Sequence, residues 1–250
     1  MKKIGFLGAG KIGRAMMAHV REKGNGEIVF VYDPFVAESE ILGVPVAKEL
    51  KPEMFDGLDL AVECATADVV RENLEEILSR TSLMSFSMTA FSDDELTKKA
   101  RAVCGESKTS LYFPHGAILG LDGIFDGRGA LEQVTIETIK NPASLGRSDQ
   151  ERTVLYEGSA REATKLYPRN VNVHAAVALA GIGFDRTVSK IISDPSVNTN
   201  THLIHLAGPG IDFTIRVSSF SEGGVSGKYV PLSACGSLDR VLDGAGLKFV

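Results

Sequence analysis

A short apolar run, Lys3–Leu7, passes directly into Gly8-Ala9-Gly10-Lys11-Ile12-Gly13, and a helical pattern with apolar Ile12, Ala15, Met16 and Val20 continues to Glu22. Few folds accommodate that order. A strand that turns at once into a helix packed back upon it needs glycine at three places. Gly8 permits the tight turn, Gly10 lets another group approach the backbone, and Gly13 lets helix and strand pack closely. A second strand, Glu27–Tyr32, ends at Asp33, twenty residues past Gly13. Glycine turn, helix, strand and acidic residue at this spacing form the fingerprint of a dinucleotide-binding βαβ unit. The pyrophosphate would meet unpaired N–H groups at the helix start, around Gly10, Lys11, Ile12 and Gly13. Asp33 is placed to accept hydrogen bonds from the adenosine ribose hydroxyls. A carboxylate there repels a 2′-phosphate and no arginine follows it, so NAD is favoured over NADP. The competing reading is a similar glycine turn serving a flavin or S-adenosylmethionine.

The alternation continues. Leu58–Cys64 reads as a third strand, Asp68 as the cap of a helix over Val69–Ser79, and Leu83–Met88 as another strand. Ser92 or Asp93 caps a helix through Ala102, and Ser110–Phe113 is a last short strand. Strict alternation implies crossovers and an α/β fold of the Rossmann type, a doubly wound parallel sheet covered on both faces. Ligands bind outside the carboxyl ends of such strands. Cys64-Ala65-Thr66 and Ser87-Met88-Thr89-Ala90 therefore become cofactor-side candidates, Cys64, Ala65, Thr66 and Thr89 above all.

From Leu131 the rhythm changes. Thr135–Lys140, Thr153–Tyr156, Thr187–Ile192, His202–Leu206 and Asp212–Val217 read as strands, with helices at Ala160–Leu166 and Val173–Ala180. Consecutive strands with few helices predict a second, antiparallel α+β domain for substrate and dimerisation. Ser233–Leu242 reads as a closing helix that returns to the first domain. The division expected is 1–113 plus about 231–250 for the dinucleotide domain and 114–230 for the other, with the junction in the glycine-rich Pro114–Gly129.

A chain of 250 residues suits two domains and can bury a core without disulfides or metals. A net charge of −5 argues against nucleic acid or an anionic membrane as partner, since both call for a concentrated positive face. Cys64, Cys104 and Cys235 are too few and too scattered for a disulfide framework or a zinc site, so no metal is expected. The basic start and apolar run at the N-terminus stop in glycines before any signal-peptide core forms, and no stretch reaches membrane-span length. A cytoplasmic location is the expectation.

The stretches GFLGAGKIG, AVECAT, SMTAFS, FPHGAILGLDGI, VTIETIKNPASLG, YEGSAREATKLYPRNVNVHAAVALAGIGFDRT and DPSVNTNTH resemble the L-aspartate dehydrogenase family over essentially the whole chain. The pairing of GSAREA-x-x-x-P-x-N-x-N-V with D-P-x-x-x-x-N-x-H is far more specific than the glycine turn. His115 departs from the pattern, which has a small residue between Pro114 and Gly116. The resemblance implies NAD(P)-dependent oxidation of L-aspartate through iminoaspartate to oxaloacetate and ammonia, with the imine available to pyridine nucleotide biosynthesis, and a homodimer. It also carries over His202 as catalytic and Ala117 and Asn172 as cofactor contacts.

That chemistry needs a general base, because hydride leaves the α-carbon only once the amine is neutral. Imidazole suits the task near neutrality. His19 lies on the first helix, where a packing or solvated role is expected. His202 and His205, three apart on one strand, face opposite ways. His202 follows the polar run Asn198–Thr201 and carries the family match. Two substrate carboxylates call for cations: Lys140, Lys165 and Arg169 are near the matching motifs, with Lys165 expected at the surface. His174 and Asn200 join Lys140 and Arg169 as substrate-side candidates, while Asn170 and Asn172 can cap the helix that follows. Two rivals stand beside this reading. One is another two-domain reductase, of the homoserine dehydrogenase or dihydrodipicolinate reductase kind; the other is an NAD(H)-binding redox sensor without turnover.

Overall fold

The computed structural model describes residues 1–220 and 229–243, so the predicted C-terminal region is followed here only to Asp243. The chain divides into two compact units, Met1–Pro114 with Pro231–Val250, and His115–Val230.

The first unit begins with β1 (Lys2–Leu7), α1 (Lys11–Lys23) and β2 (Gly26–Tyr32). Two short strands follow, β3 (Glu40–Ile41) and β4 (Val44–Ala47), then β5 (Leu60–Glu63), α2 (Ala67–Arg80) and β6 (Ser82–Ser85). A 3-10 turn at Met88–Ser92 leads into α3 (Asp94–Ser107) and β7 (Leu111–Tyr112). The sheet order is β3-β4-β2-β1-β5-β6-β7, parallel throughout except for the β3–β4 hairpin. Strand order reverses beside β1, so the crevice where a doubly wound sheet takes its ligand opens beyond Leu7 and Glu63, partners in register. The expected doubly wound sheet is present, with two corrections. Met88 lies in the 3-10 turn and not in a strand. Thr66, not Asp68, caps α2, because its hydroxyl sits before the first turn and accepts from the Val69 N–H. Asp93 caps α3 through the Glu95 N–H.

The core of this unit joins Ile4 and Phe6 of β1 to Met16, Met17 and Val20 of α1, Val31 of β2 and Val62 of β5. α7 (Val230–Leu242) adds Ala234, Leu238 and Leu242 to the same cluster. Its Asp239 accepts hydrogen bonds from His19 Nε2 and Asn25 Nδ2, each at 3.0 Å, and pairs with Lys23 Nζ at 3.1 Å. His19 is thus a structural residue that ties α1 to α7.

The second unit contains α4 (Leu121–Gly127), β8 (Gln133–Lys140), β9 (Thr153–Ser159), α5 (Ala160–Leu166), α6 (Asn172–Ala180), β10 (Val188–Ser193), β11 (Thr199–Gly208) and β12 (Ile211–Phe220). The order is β12-β11-β8-β10-β9. The expectation of an antiparallel sheet needs correction. β10 enters between β8 and β9 and runs parallel to β8, because α5 and α6 carry the chain back before it. On one face of the sheet, alternation buries Val134, Ile136, Thr138 and Lys140 of β8 and His202, Ile204 and Leu206 of β11. In register, Leu206 lies beside Val134, Ile204 beside Ile136, and His202 beside Thr138. One end of this buried face is aliphatic and the other is polar. The second end is where chemistry is possible.

Leu238 is fully buried in the β1–α1 core. Leu238→Ala should therefore lower the unfolding free energy by about 2–5 kcal/mol, read by denaturant titration. A loss below about 0.5 kcal/mol, as for a surface change, would show that α7 is only appended to the unit.

Candidate active site

In the first unit the turn after β1 closes through Gly8 N–H donating to Tyr32 O at 2.8 Å and Ala9 N–H donating to Asp33 Oδ2 at 2.9 Å. Gly8 has φ +106°, in the left-handed region, and an added Cβ would lie 2.7 Å from Cys64 O. At Gly13 an added Cβ would lie 2.3 Å from Gly8 O and 2.9 Å from Cys64 Sγ, so helix and turn touch there. Gly10 differs: an added Cβ would meet nothing within 4 Å. The protein's own packing leaves the space over Gly10 open.

The helix that follows is equally available. No side chain caps α1 and no acidic residue occupies its first turn, so the N–H groups around Lys11, Ile12 and Gly13 are left for an anion. Asp33 is held in place by three backbone donors, Ala9 on Oδ2 and Phe35 and Val36 on Oδ1. Burial works against its charge, but those donors and Lys48 outweigh it and hold the carboxyl below its usual range. Oδ2 keeps acceptor capacity for a ribose hydroxyl. The residues fit a dinucleotide.

Cys64, Ala65 and Thr66 surround this turn in different ways. The Cys64 thiol donates to Gly8 O at 3.2 Å, and burial, then Glu63 and Asp33, push it far above its usual range. It is packing beneath the turn and stays protonated. Thr66 caps α2, and Ala65 N–H donates to Glu63 Oε1 at 2.8 Å. Glu63, absent from the expected set, is fully buried and accepts three more bonds, from Ser85 Oγ at 2.8 Å, Ser87 Oγ at 2.7 Å and Ser87 N–H at 3.1 Å. Burial raises its pKa despite those donors. Glu63 thereby fastens together the segments that follow β5 and β6, including the 3-10 turn in which Thr89 is buried. The available signal was an acid inside the apolar run Leu60–Cys64.

In the second unit the polar end of the buried face gathers Thr138, Lys140, His202 and, by alternation, Asn200. Lys140 is 3% exposed, and its Nζ donates to Asn170 Oδ1 at 3.2 Å. Burial lowers its pKa to about 8. His202 is also 3% exposed; burial, then the Lys140 charge, lower it to about 3. Its Nδ1 lies 2.8 Å from Thr138 Oγ1, while Nε2 has no partner among the described residues. Asn200 Oδ1 is a buried acceptor without a partner.

His174 requires a correction. It is fully buried, with Nε2 2.6 Å from Thr138 Oγ1 and Nδ1 2.5 Å from Ser189 Oγ. Both ring nitrogens are engaged inside the protein, so it cannot hold a substrate directly. Burial, then His202 and Lys140, hold its pKa well below the usual value. Arg169 is exposed in the turn between α5 and α6, next to Asn170. Asn172 is the exposed first residue of α6; Val171 occupies the cap position, so neither Asn170 nor Asn172 caps that helix. Ala117 sits half-buried in the turn before α4. His205 faces away from His202 and approaches Asp212 at 3.4 Å, and Lys165 pairs with Glu162 at the surface. His115 Nε2 lies 3.6 Å from Asp122. Asp194 forms the turn after β10, accepting from Ser196 N–H at 2.9 Å and Oγ at 2.6 Å.

Among the described residues no helix is long and apolar enough to cross a membrane, and no group of three or more His, Cys, Asp or Glu residues could hold a metal ion.

Comparison with known proteins agrees with both halves. Residues 8–114 match the family model "Homoserine dehydrogenase, NAD binding domain", and residues 124–241 match "Aspartate dehydrogenase, C-terminal". The L-aspartate dehydrogenase of Methanosarcina mazei is 34% identical, with 97% of this chain and 98% of the relative covered. That of Nitrosopumilus maritimus is 32% identical, with 96% of each covered. The crystal structure of aspartate dehydrogenase from Thermotoga maritima superposes with a TM-score of 0.83 at 28% identity, covering 100% of both chains. A scyllo-inositol dehydrogenase structure from Lactobacillus casei, at 12% identity and a TM-score of 0.57 over 97% of this chain and 89% of that one, shares the fold.

The glycines yield a paired expectation. Gly10→Ala should leave the thermal midpoint unchanged and weaken NADH binding about tenfold or more, equivalent to about 1.4 kcal/mol. Gly13→Ala should lower the midpoint as well, because helix and turn must separate. Comparable loss of stability in both variants would mean that packing alone explains the glycine spacing.

Proposed function

We propose that this chain, which belongs to the L-aspartate dehydrogenase family, oxidises L-aspartate to iminoaspartate with NAD(P), water then releasing oxaloacetate and ammonia. The observation that carries the reading is a buried ammonium, Lys140, with one neutral partner, on the same sheet face as the buried imidazole of His202. A buried charge without a counter-charge is costly, and an anionic substrate supplies the missing partner. Lys140 binds one substrate carboxylate. Arg169, exposed beside Asn170, is the candidate for the other. The unpartnered Asn200 Oδ1 suits an N–H of the substrate amine.

When bound, the nicotinamide supplies the hydride acceptor. The chain's own part is proton management. Burial, then the Lys140 charge, favour the neutral ring of His202 in the free protein, so Nε2 is open to take a proton from the amine. The Lys140 charge is one of the two causes that depress it. A carboxylate seated on Lys140 screens that charge and raises the basicity of His202 toward the useful range. The base therefore strengthens when its substrate arrives. After oxidation the same imidazole assists water in attacking the imine.

The finer parts of this reading rest on narrower support. Preference for NAD over NADP rests on Asp33. A homodimer and use of the imine in pyridine nucleotide biosynthesis rest on the family resemblance. A cytoplasmic location draws on the three free thiols, Cys64, Cys104 and Cys235. With the catalytic pair assigned to substrate turnover, the redox-sensor alternative has no feature in its favour.

Two measurements test the assignment. His202→Ala should cut turnover of aspartate with NAD by about 10²-fold or more while NADH affinity, from fluorescence titration, stays within about twofold. Equal loss of both would make His202 structural. The second uses succinate, a dicarboxylate that lacks the titrating amine. Its affinity in the presence of NADH should be level between about pH 6.5 and 7.5, where both its carboxylates are ionised, and fall through pH 8 and above, by up to about tenfold per unit, as Lys140 loses its proton. Lys140→Met should bind succinate weakly at every pH and show no inflection. An unaltered inflection in that variant would assign it to another group.

A further inference from the structure

We propose that the Thr138 hydroxyl sets the tautomer of His202, acting with His174 and Ser189 as a buried lock that keeps the His202 Nε2 lone pair free. The inference rests on His202 being the base, as argued above, and concerns what makes it one. Thr138 on β8 and His202 on β11 are directly paired across the sheet. Thr138 Oγ1 lies 2.8 Å from His202 Nδ1 and 2.6 Å from His174 Nε2, and His174 Nδ1 lies 2.5 Å from Ser189 Oγ. Thr138, His174 and Ser189 are fully buried and His202 is 3% exposed, so water does not complete these bonds.

A hydroxyl carries one proton. Thr138 can donate to only one imidazole and must accept from the other, which leaves two arrangements of the whole run. In the first, His202 Nδ1–H donates to Thr138, Thr138 donates to His174 Nε2, and His174 Nδ1–H donates to Ser189. In the second every direction is reversed. The two histidines are therefore coupled: both carry the proton on Nδ1, or both carry it on Nε2. Only the first arrangement leaves His202 Nε2 able to accept a proton. The charge of the Lys140 ammonium, which acts on His202, favours it, because a nearby cation stabilises a free lone pair on the ring and disfavours an unpaired N–H.

The run is a lock and not a conduit. Once Nε2 takes a proton from the amine, His202 holds one on each nitrogen. Passing the Nδ1 proton through Thr138 would place the cation on His174, which is fully buried, has both ring nitrogens engaged, and is itself held by burial well below its usual pKa. The proton taken from the amine stays on His202 Nε2 until it leaves to solvent, after which the neutral ring can accept a proton from the attacking water, while the Nδ1 proton remains with Thr138 throughout. Thr138 is a positioning residue; it touches the base and not the substrate.

The test is nitrogen NMR of the protein labelled with 15N in its histidine rings, taken with NADH present at pH 7.5. The expected result is the Nδ1–H tautomer at both His202 and His174, assigned with His202→Ala and His174→Gln. In Thr138→Val the two should no longer match: an Nδ1–H on His202 would be buried without an acceptor, a cost that outweighs the Lys140 field and moves the ring to the Nε2–H form that free histidine prefers. Turnover of aspartate should fall about 10–100-fold with KM within about threefold, and Thr138→Ser should restore most of it. An Nε2–H form of His202 in the unaltered protein overturns the lock, and so does full turnover in a folded Thr138→Val. Because the spectrum of the unaltered protein needs no turnover, the lock can fail while His202→Ala still identifies the base. Conversely, an active His202→Ala rejects the base whatever the tautomer.

Discussion

The Lys140 ammonium, out of water and touching a single amide oxygen, imposes the constraint to which the rest of the second unit answers. It sits where β8 ends its buried alternation, beyond Val134, Ile136 and Thr138, so the same pattern that builds an aliphatic core delivers a cation to its far end. Cross-strand pairing then brings His202 beside Thr138. Burial and this cation act together on the imidazole, and both favour the neutral ring. Neither Lys140 nor either histidine has a carboxylate partner among the described residues. A triad of the hydrolase kind, with an acid behind the imidazole, would stabilise an imidazolium. A neutral threonine does not, and the arrangement produces a base that is weak until an anion arrives.

The first unit solves a different problem by different means. It offers a ligand backbone N–H groups and a dipole, and its side chains serve to hold that backbone still. Gly8, Gly13 and Cys64 fit against one another with no room for a further carbon. Glu63 gathers donors from Ala65, Ser85 and Ser87, so two segments beyond the sheet are fixed by one carboxylate. A carboxyl in such a position costs desolvation, which four donors offset only in part.

The distinction explains what could be read from the chain directly. β1, the glycine turn, α1 and Asp33 are local in sequence, and their spacing states their geometry. α7 was legible from its periodicity. By contrast β3 and β4 are too short to show a pattern, and α4 hides in a segment, Leu121–Gly127, that contains two glycines. The strands β11 and β12 run longer than their apolar cores suggest, because pairing with each other extends order into the polar Thr199–Thr201. The parallel placement of β10 beside β8 depends on contacts between distant segments and has no local mark. At the site, Lys140 and His202 stand out from motif and chemistry, and the structure buries both on one sheet face. Thr138 was missed although the same alternation that buries Lys140 buries it too; a threonine reads as an ordinary strand residue until its two imidazole partners are seen. His174 was placed with the substrate because a histidine near a helix start looks available, and only three-dimensional burial shows it turned inward.

The charge balance of the proposed reaction gives this arrangement its logic. Both carboxylates of aspartate persist in the product, so their recognition does not distinguish the start of the reaction from its end. What changes is the nitrogen, which enters as an ammonium and must become neutral before hydride can leave. A buried cation nearby lowers the affinity of that nitrogen for its proton, as one like charge does to another. The carboxylate bound to Lys140 relieves the same field at His202, so the arrival of substrate strengthens the base that takes the proton. A site with an internal acid would have stabilised the ammonium instead and held the substrate in its unreactive form. Among the described residues Lys140, His174 and His202 have no carboxylate partner, which suits the deprotonation of an amine beside them and separates this buried face from the acid-backed imidazoles of hydrolytic enzymes.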